Sequence, residues 1–202
     1  MQAVAAEQAF RRFETATHLR LPHLDRMLAA VRASTLSRRA AAFHAGYRCA
    51  RVFLVRSGLL KQAYVDADGG EWIKSFAGPG DLFACLDALD GGVASFASVA
   101  IVPSVVEWVE WRVIEQAAAT DVVWQHAVRL AFQALARLKV HRERDLLMHT
   151  PEQLYRALVR DTPDIAARVP QRDLAAYLGV TAVGLNRIVQ RCGGRRRPSR
   201  RT

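Results

Sequence analysis

The chain has 202 residues, of which 51% are apolar and 24% are charged, and its net charge is +10. This balance is typical of a globular protein with a real core, and no apolar run reaches the roughly 18 residues of a membrane-spanning helix. The three cysteines (Cys49, Cys85 and Cys192) form no CxxC or Cys–His pair, which argues against a disulfide framework and a metal site. The first residues are charged and contain no apolar signal segment, so we expect a cytoplasmic protein that does not enter the membrane.

The first 111 residues are predicted to form a helical segment followed by a β roll. Residues 1–36 place apolar side chains at helical spacings, with a break near Pro22. From about residue 40 the pattern changes to short strands, at 51–55, 59–65, 71–76, 96–101 and 105–111. Turn signals separate these strands, at Ser57-Gly58, 66–70, 78–81 and Pro103-Ser104. Short strands with regular turns predict a compact all-β roll or barrel.

Residues 112–149 contain no Gly or Pro, which predicts a long helix. Such a helix would extend about 50 Å, more than the diameter of a small domain. Four apolar side chains step by three, four and three residues, the spacing of a coiled-coil seam. They are Val128, Ala131, Leu135 and Leu138. The helix could pack on its own β domain, but pairing of two copies along this seam is favoured.

The segment 168–191 predicts two short helices joined by a tight turn. The first helix is expected over Gln171–Leu178, with Gly179 as a left-handed C-terminal stop. Thr181 is a suitable N-cap for a second helix that ends near Arg191. In that second helix the inward residues are Leu185, Ile188 and Val189, and the outward ones are Ala182, Val183, Asn186, Arg187 and Gln190.

A helix pair of this kind is the unit that lays its second helix in the major groove of DNA, although a solvated helical hairpin has the same local pattern. Charge favours the DNA interpretation. Residues 151–202 carry 11 Arg, no Lys and 4 Asp or Glu, so they hold +7 of the net charge. Such a concentration of arginine indicates a phosphate-binding surface. The predicted DNA-binding residues are Gln171, Arg172, Thr181, Ala182, Val183, Asn186, Arg187 and Arg191.

In this order of elements the chain resembles the Crp/Fnr superfamily of bacterial transcription regulators over nearly its whole length. Four segments carry the resemblance. Residues 52–76 (VFLVRSGLLKQAYVDADGGEWIKSF) resemble the first strands of the family's roll, and 79–89 (PGDLFACLDAL) stand at its phosphate-binding cassette. Residues 151–181 are similar to the stretch leading into the DNA-binding domain, and 181–188 (TAVGLNRI) match the start of its recognition helix.

The resemblance implies an α+β chain of three parts. These are a cyclic-nucleotide-binding-like β roll (a double-stranded β-helix or jelly roll) with an N-terminal helix at 1–111, a long dimerisation helix at 112–150, and a helix-turn-helix domain at 151–202. It further implies a homodimer that binds an inverted repeat in double-stranded DNA, with half-sites about one helical turn apart. Effector-gated regulation of transcription, with RNA polymerase as a further partner, is the implied function.

The cassette departs from that of cyclic-nucleotide binders in the family, which carry Gly-Glu and later an Arg-Ser or Arg-Thr pair. Here Gly80-Asp81 holds a shorter acid, and no arginine lies between Arg56 and Arg112. Because a buried phosphate needs a cation, we expect an effector other than cyclic AMP. Lys61 or Lys74 could replace the arginine only if the roll directs one of them inward. An empty roll and a roll with an unknown small-molecule effector both remain open, and the candidate pocket residues are Gly80, Asp81, Leu82, Ser95 and Ser98.

The recognition helix also departs from many relatives, which carry Glu and a small residue at the positions of Val183 and Asn186. Arg187 can contact guanine, Asn186 can pair with adenine or a phosphate, and Val183 can contact a thymine methyl group. Relatives usually continue into a β-hairpin wing, which is truncated or missing here. Residues 193–202 (GGRRRPSRRT) are interpreted either as a basic arm that adds sequence-independent affinity or as a frayed end.

Two other functions can be compared with the sequence. A small-molecule sensor with a degenerate DNA-binding half, acting through protein contacts, is the alternative that Val183 and the missing wing allow. A cupin-type enzyme would need a His-x-His metal motif, and neither this nor another catalytic motif occurs in the sequence. No enzymatic activity, cofactor or metal is therefore expected.

Overall fold

A computed structural model describes residues 3–66 and 69–193, which belong to two compact units, residues 1–139 and 140–202. The first unit contains the sheet and the helices around it. Its elements are α1 (Val4–Thr17), α2 (Leu24–Ala30), β1 (Arg32–Leu36), β2 (Ala41–Phe43), β3 (Arg51–Val65), β4 (Glu71–Ala77), β5 (Leu82–Phe83), α3 (Leu86–Leu89), β6 (Ala97–Glu110), α4 (Trp111–Thr120) and most of α5 (Val122–Met148). The second contains the end of α5 with α6 (Pro151–Asp161), α7 (Pro163–Arg168), α8 (Gln171–Tyr177) and α9 (Ala182–Arg191).

The sheet is built on two long antiparallel strands, β3 and β6, which pair from Arg51–Glu110 to Ala63–Ala97. The strand order is β1-β6-β3-β4, with β2 also on β6 and β5 also on β3. Their inner faces enclose one apolar core, which includes Phe43, Phe53, Val55, Leu60, Phe83, Cys85, Phe96, Ala100 and Val106. The predicted α+β chain with an N-terminal β roll is confirmed.

Two of the predicted turns are wrong, because the backbone passes through them as bulges within long strands. Ser57-Gly58 lies inside β3, where the register to β6 shifts on both sides of Ser57. Gly58 has φ +103°, and a Cβ there would lie 2.6 Å from the Cα of Ser104. Pro103-Ser104 lies inside β6 at the same irregular stretch, where Pro103 needs no N–H for the ladder.

Three further predictions need correction. Residues 32–36 are not helical, because β1 pairs with β6 from Arg32–Trp108 to Leu36–Ser104. The single helix predicted over 112–149 is interrupted at Asp121, which is extended (φ −141°) and whose carboxylate accepts hydrogen bonds from the amides of Val123 and Trp124. This is N-capping of α5, so the predicted helix is two helices. The loop expected before the helix pair contains α7, which starts at Pro163, a residue suited to a first helical turn.

A buried acid holds the N-terminal helix to the chain that follows it. Glu14 on α1 is almost fully buried and accepts a hydrogen bond from the Leu21 amide at 2.8 Å. Arg11 lies 3.2 Å from its other oxygen, and Arg20 lies at 4.0 Å. The Leu21 amide and these two arginines together lower the pKa of Glu14, although burial opposes them.

Acidification is therefore expected to remove the contribution that ionised Glu14 makes to the free energy of unfolding. An acid whose pKa is lowered by folding stabilises the protein above its unfolded value, and this contribution disappears as the pH falls through the folded value. The variant Glu14→Gln should thus lose less unfolding free energy than the parent below about pH 5, measured by urea titration. Glu7→Gln, an exposed position on the same helix, is the control and should follow the parent. An unchanged acid dependence in Glu14→Gln would contradict this.

Candidate nucleic-acid interface and effector site

The helix pair of the second unit has the local geometry that the sequence predicts. Helix α8 ends at Tyr177, and Gly179 follows in the left-handed region with φ +68°. The Thr181 hydroxyl accepts a hydrogen bond from the Gly184 amide at 3.1 Å and so caps α9. The two helices pack through buried apolar side chains, which are Leu174, Ala175, Leu178, Leu185 and Ile188.

Helix α9 leaves one face open to solvent. The residues of this exposed face of α9 are Ala182, Val183, Asn186, Arg187 and Gln190, as the sequence predicts. Gln171 and Arg172, at the start of α8, are exposed as well, as is Thr181. Within the described part of the chain, Arg187 makes no hydrogen bond or ion pair. Its guanidinium is free to bind a ligand from solution.

Arg191 is in a different state. Its Nε lies 2.9 Å from a carboxylate oxygen of Glu152 on α6, and the other oxygen of Glu152 lies 2.9 Å from Arg156. The carboxylate therefore partly neutralises Arg191, the last residue of α9, and Arg156 on α6. No local pattern predicts this contact, because Glu152 and Arg191 are far apart in the chain.

Arg142 joins the last turns of α5 to the helix pair. Its guanidinium donates a hydrogen bond to the Tyr177 carbonyl at 2.6 Å and lies 3.8 Å from the centre of the Tyr177 ring. A charged hydrogen bond to a helix C-terminus combined with ring stacking is a strong local contact. It fixes the C-terminal end of α8 and therefore the turn into α9.

The five candidate pocket residues of the roll do not share one environment. Gly80, Asp81, Leu82 and Ser95 are exposed, whereas Ser98 is completely buried. The Asp81 carboxylate accepts a hydrogen bond from the Gly78 amide at 2.8 Å, and Ser95 lies against the Cys85 thiol. Asp81 thus stabilises its own turn.

Of the two lysines considered as substitutes for the missing arginine, the structure directs one inward. Lys61 forms an ion pair with Glu71 on the neighbouring strand. Lys74 instead lies 3.9 Å from the ring centre of Phe96, a residue of the roll's apolar core. The roll therefore supplies an inward cation from β4 and not from the 79–89 segment.

Helix α5 carries an uncovered apolar stripe. Of the predicted seam, Val128 and Leu135 are half-buried in the single chain, whereas Ala131 and Leu138 are exposed. Other exposed apolar side chains on this helix are Phe132, Val140, Leu146, Leu147 and Met148. Large apolar side chains that face water along one helix are typical of a surface that packs against another chain.

Comparison with family models and with curated proteins finds no match to the sequence. Solved structures do match. FixK2 from Bradyrhizobium japonicum has a TM-score of 0.69 at 20% identity, over 81% of this chain and 84% of that one. The global regulator CLP of Xanthomonas campestris has 0.62 at 15% identity, over 84% and 90%. The catabolite activator protein of Thermus thermophilus has 0.52 at 19% identity, over 89% and 88%.

The chain has the Crp/Fnr fold. Two of the proteins named above are described as a global regulator and as an activator protein. Within residues 3–66 and 69–193, no helix combines the length and the apolar character needed to cross a membrane. Over the same ranges, no group of three or more His, Cys, Asp or Glu side chains is placed to hold a metal ion.

Proposed function

We propose that the chain is a dimeric, sequence-specific DNA-binding regulator of transcription of the Crp/Fnr type, with an effector other than cyclic AMP. The observation that supports this most is the exposed face of α9, with Arg187 unpaired, on a capped helix pair. In the three-part division proposed, residues 1–111 form the effector roll, 112–150 the dimerisation helix and 151–202 the DNA-binding domain. RNA polymerase is the further partner that activation or repression would involve.

The exposed face of α9 supplies the chemistry of sequence recognition. A helix of 10 residues is about 15 Å long and fits a major groove about 12 Å wide. Arg187 donates to guanine O6 and N7, Asn186 pairs with adenine, and Val183 contacts a thymine methyl group. The residues at the starts of α8 and α9 (Gln171, Arg172, Thr181 and Ala182) bind phosphates.

Arg191 takes part in phosphate binding only when Glu152 releases it. The Glu152 carboxylate repels phosphate and holds the guanidinium in an ion pair, so this contact weakens binding to DNA of any sequence. Discrimination between DNA sequences then depends more on Arg187, which is not held in an ion pair.

The missing arginine of the cassette argues against cyclic AMP. A cyclic phosphate bound near Gly80 would meet the Asp81 carboxylate, and residues 57–111 hold no arginine to neutralise it; the arginine near this turn is Arg12 of α1, whose Nη1 would lie 3.9 Å from a Cβ at Gly80. The inward Lys74 offers a charge at another place in the roll.

A salt titration of the full chain with labelled duplex DNA of mixed sequence tests the DNA-binding half of the proposal. Between about 50 and 200 mM salt, the logarithm of the association constant should fall linearly with that of the salt concentration, because bound cations release counterions. A regulator with a working interface keeps measurable affinity at the lower salt. Absence of any duplex binding there would favour the alternative, a sensor with a degenerate DNA-binding half that acts through protein contacts.

The apolar stripe on α5 predicts a dimer that one charge can disrupt. Leu138→Glu would place two carboxylates in the proposed seam, where like charges and lost apolar burial both oppose pairing. We expect the parent to sediment as a dimer and Leu138→Glu to sediment as a monomer, or to need at least tenfold more protein to pair. Gln133→Glu, exposed on the same helix and outside the predicted seam, should stay dimeric. A monomeric parent would contradict the dimer.

A further inference from the structure

We propose that the inner face of the β roll binds a small anionic ligand, with a phosphate or carboxylate group held between the ammonium groups of Lys74 and Lys139. This gives the effector of the proposed function a chemical class, and only the link from ligand to DNA binding rests on that function. The site is separate from the exposed Gly80-Asp81 turn, because it is built from β3, β4, β6 and α5.

The wall of this site is a polar row that crosses the inner face of the sheet. The neighbouring row on this face is apolar: Leu60 on β3 pairs with Ala77 on β4 and with Ala100 on β6, and all three residues are buried. Two residues further along β3, Gln62 pairs with Ser75 and Ser98. Opposite residues of antiparallel strands share a face, so these three polar side chains lie side by side.

One group of this row lacks a partner. The Ser98 hydroxyl is completely buried and makes no hydrogen bond within the described chain, whereas the Ser75 hydroxyl donates to the Gln62 carbonyl at 2.8 Å. A buried hydroxyl without a partner costs free energy, and such groups are rare in folded proteins. A ligand oxygen at this wall would supply the missing partner.

A β-bulge places a cation beside the polar row. The register between β3 and β4 shifts after Gln62, so that Ser75 faces Gln62, Ile73 faces Ala63, and Lys74 is the extra residue. A bulge redirects its extra side chain out of the regular alternation. The Lys74 ammonium accordingly lies 3.4 Å from the Gln62 carbonyl oxygen and over the Phe96 ring.

A second cation adjoins the first. Lys139, exposed on α5, is near enough to Lys74 for its charge to act on that ammonium group, and neither lysine forms an ion pair within the described chain. Burial, followed by the charge of Lys139, lowers the pKa of Lys74 to about 8, while Cys85 and Asp87 act in the opposite direction. Two neighbouring ammonium groups repel each other, and an anion between them would accept a charge-assisted hydrogen bond from each.

Lys61, in the same pair of strands, is a lysine whose charge is already balanced by a carboxylate. It lies on β3, one residue before Gln62, and its ammonium forms an ion pair with Glu71 on β4. This pair needs no ligand. The contrast makes Lys61 a matched control for Lys74, since both are lysines of the β3–β4 hairpin with different partners.

The test is a titration of the full chain, without DNA, by nuclear magnetic resonance of isotopically labelled lysine side chains. Inorganic phosphate and malonate are the two probes, each at constant ionic strength. We expect saturable shifts of the Lys74 and Lys139 signals and a rise in the pKa of Lys74 with at least one probe, and the probe bound more tightly tells phosphate from carboxylate. Lys74→Gln and Lys139→Gln should each weaken binding at least tenfold, whereas Lys61→Gln should change it less than twofold.

Two results would overturn the site. One is the absence of a saturable shift at Lys74 with both probes, and the other is an equal loss of binding in Lys61→Gln and Lys139→Gln. Lys139 is exposed, so its variant reports on binding even if Lys74→Gln disturbs the roll. Because no DNA is present, failure of this site is distinct from failure of the proposed regulator function.

Discussion

Replacing Arg187 with alanine is expected to abolish recognition of the operator while the protein stays folded and dimeric. A bidentate arginine–guanine contact contributes about 1–3 kcal/mol, so a dimer on an inverted repeat should lose about 2–6 kcal/mol. The side chain is exposed and makes no hydrogen bond or ion pair within the described chain, so its removal should leave the unfolding free energy within about 0.5 kcal/mol of the parent. Competition between operator and mixed-sequence duplexes measures the change.

Arg191→Ala is the matched control for this prediction, since the two arginines lie one turn apart on α9. Arg191 is held by Glu152, so its loss should weaken operator and mixed-sequence DNA alike and by a smaller factor. Equal loss of operator preference in both variants would refute the special role given to Arg187. So would an Arg187→Ala variant whose affinities for operator and for mixed-sequence duplex fall by the same factor, because the operator preference would then be intact.

The largest effect on stability is expected from Gly58→Ala in the long strand β3. The glycine has φ +103°, and a new Cβ would lie 2.6 Å from the Cα of Ser104 on β6. Both the backbone conformation and the collision with a neighbouring strand oppose a side chain here. We expect a loss of about 3 kcal/mol or more in the free energy of unfolding, measured by urea titration.

Gly46→Ala separates the two causes. Gly46 also has a positive φ, +82°, but a Cβ there would have no heavy atom within 4 Å. Its alanine variant should lose only the strain of the left-handed backbone, about 1–2 kcal/mol. A loss in Gly58→Ala no greater than that in Gly46→Ala would show that the close approach of β3 and β6 is unimportant.

The sequence predicted most where the deciding interactions are local. The α8–α9 pair follows from a glycine stop, a threonine cap and a narrow apolar stripe, all within 25 residues, and its bounds differ from the prediction by one residue at most. The sequence pattern located the strands of the roll, but it did not predict that β3 and β6 each continue through a predicted turn. Gly58 resembles a turn glycine in sequence, and only the pairing of its neighbours Ser57 and Leu59 with β6, far along the chain, shows that the strand continues.

Acid side chains that fix distant elements were also missed. Glu107 is buried within β6 and accepts hydrogen bonds from the Ala5 and Ala6 amides at the start of α1, with Arg56 at 3.7 Å. An acid among the apolar residues of a strand is the only signal that the sequence offers for such a contact. The Glu152–Arg191 and Lys74–Lys139 pairs escaped prediction for the same reason, since each joins residues distant in sequence.

The interpretation of residues 193–202 as a basic arm or a frayed end stays a prediction. Residues 194–202 lie outside the described ranges, and with them most of the proposed basic arm and the place where relatives have a wing. Their arginines are still part of the net charge of the chain. A variant ending at Gly193 would show, in the salt titration, how much sequence-independent affinity they add.

The measurement that tests the regulator proposal most directly is selection of binding sites from a randomised duplex pool by the full-length chain, repeated with Arg187→Ala. We expect an inverted repeat with half-site centres about 10 base pairs apart or a multiple of that spacing, and loss of the repeat in the variant. The pool should be offered with and without inorganic phosphate and malonate, because a ligand of the roll can shift the DNA-competent population. No enriched sequence under any of these conditions, with binding that disappears steeply with salt, would contradict it.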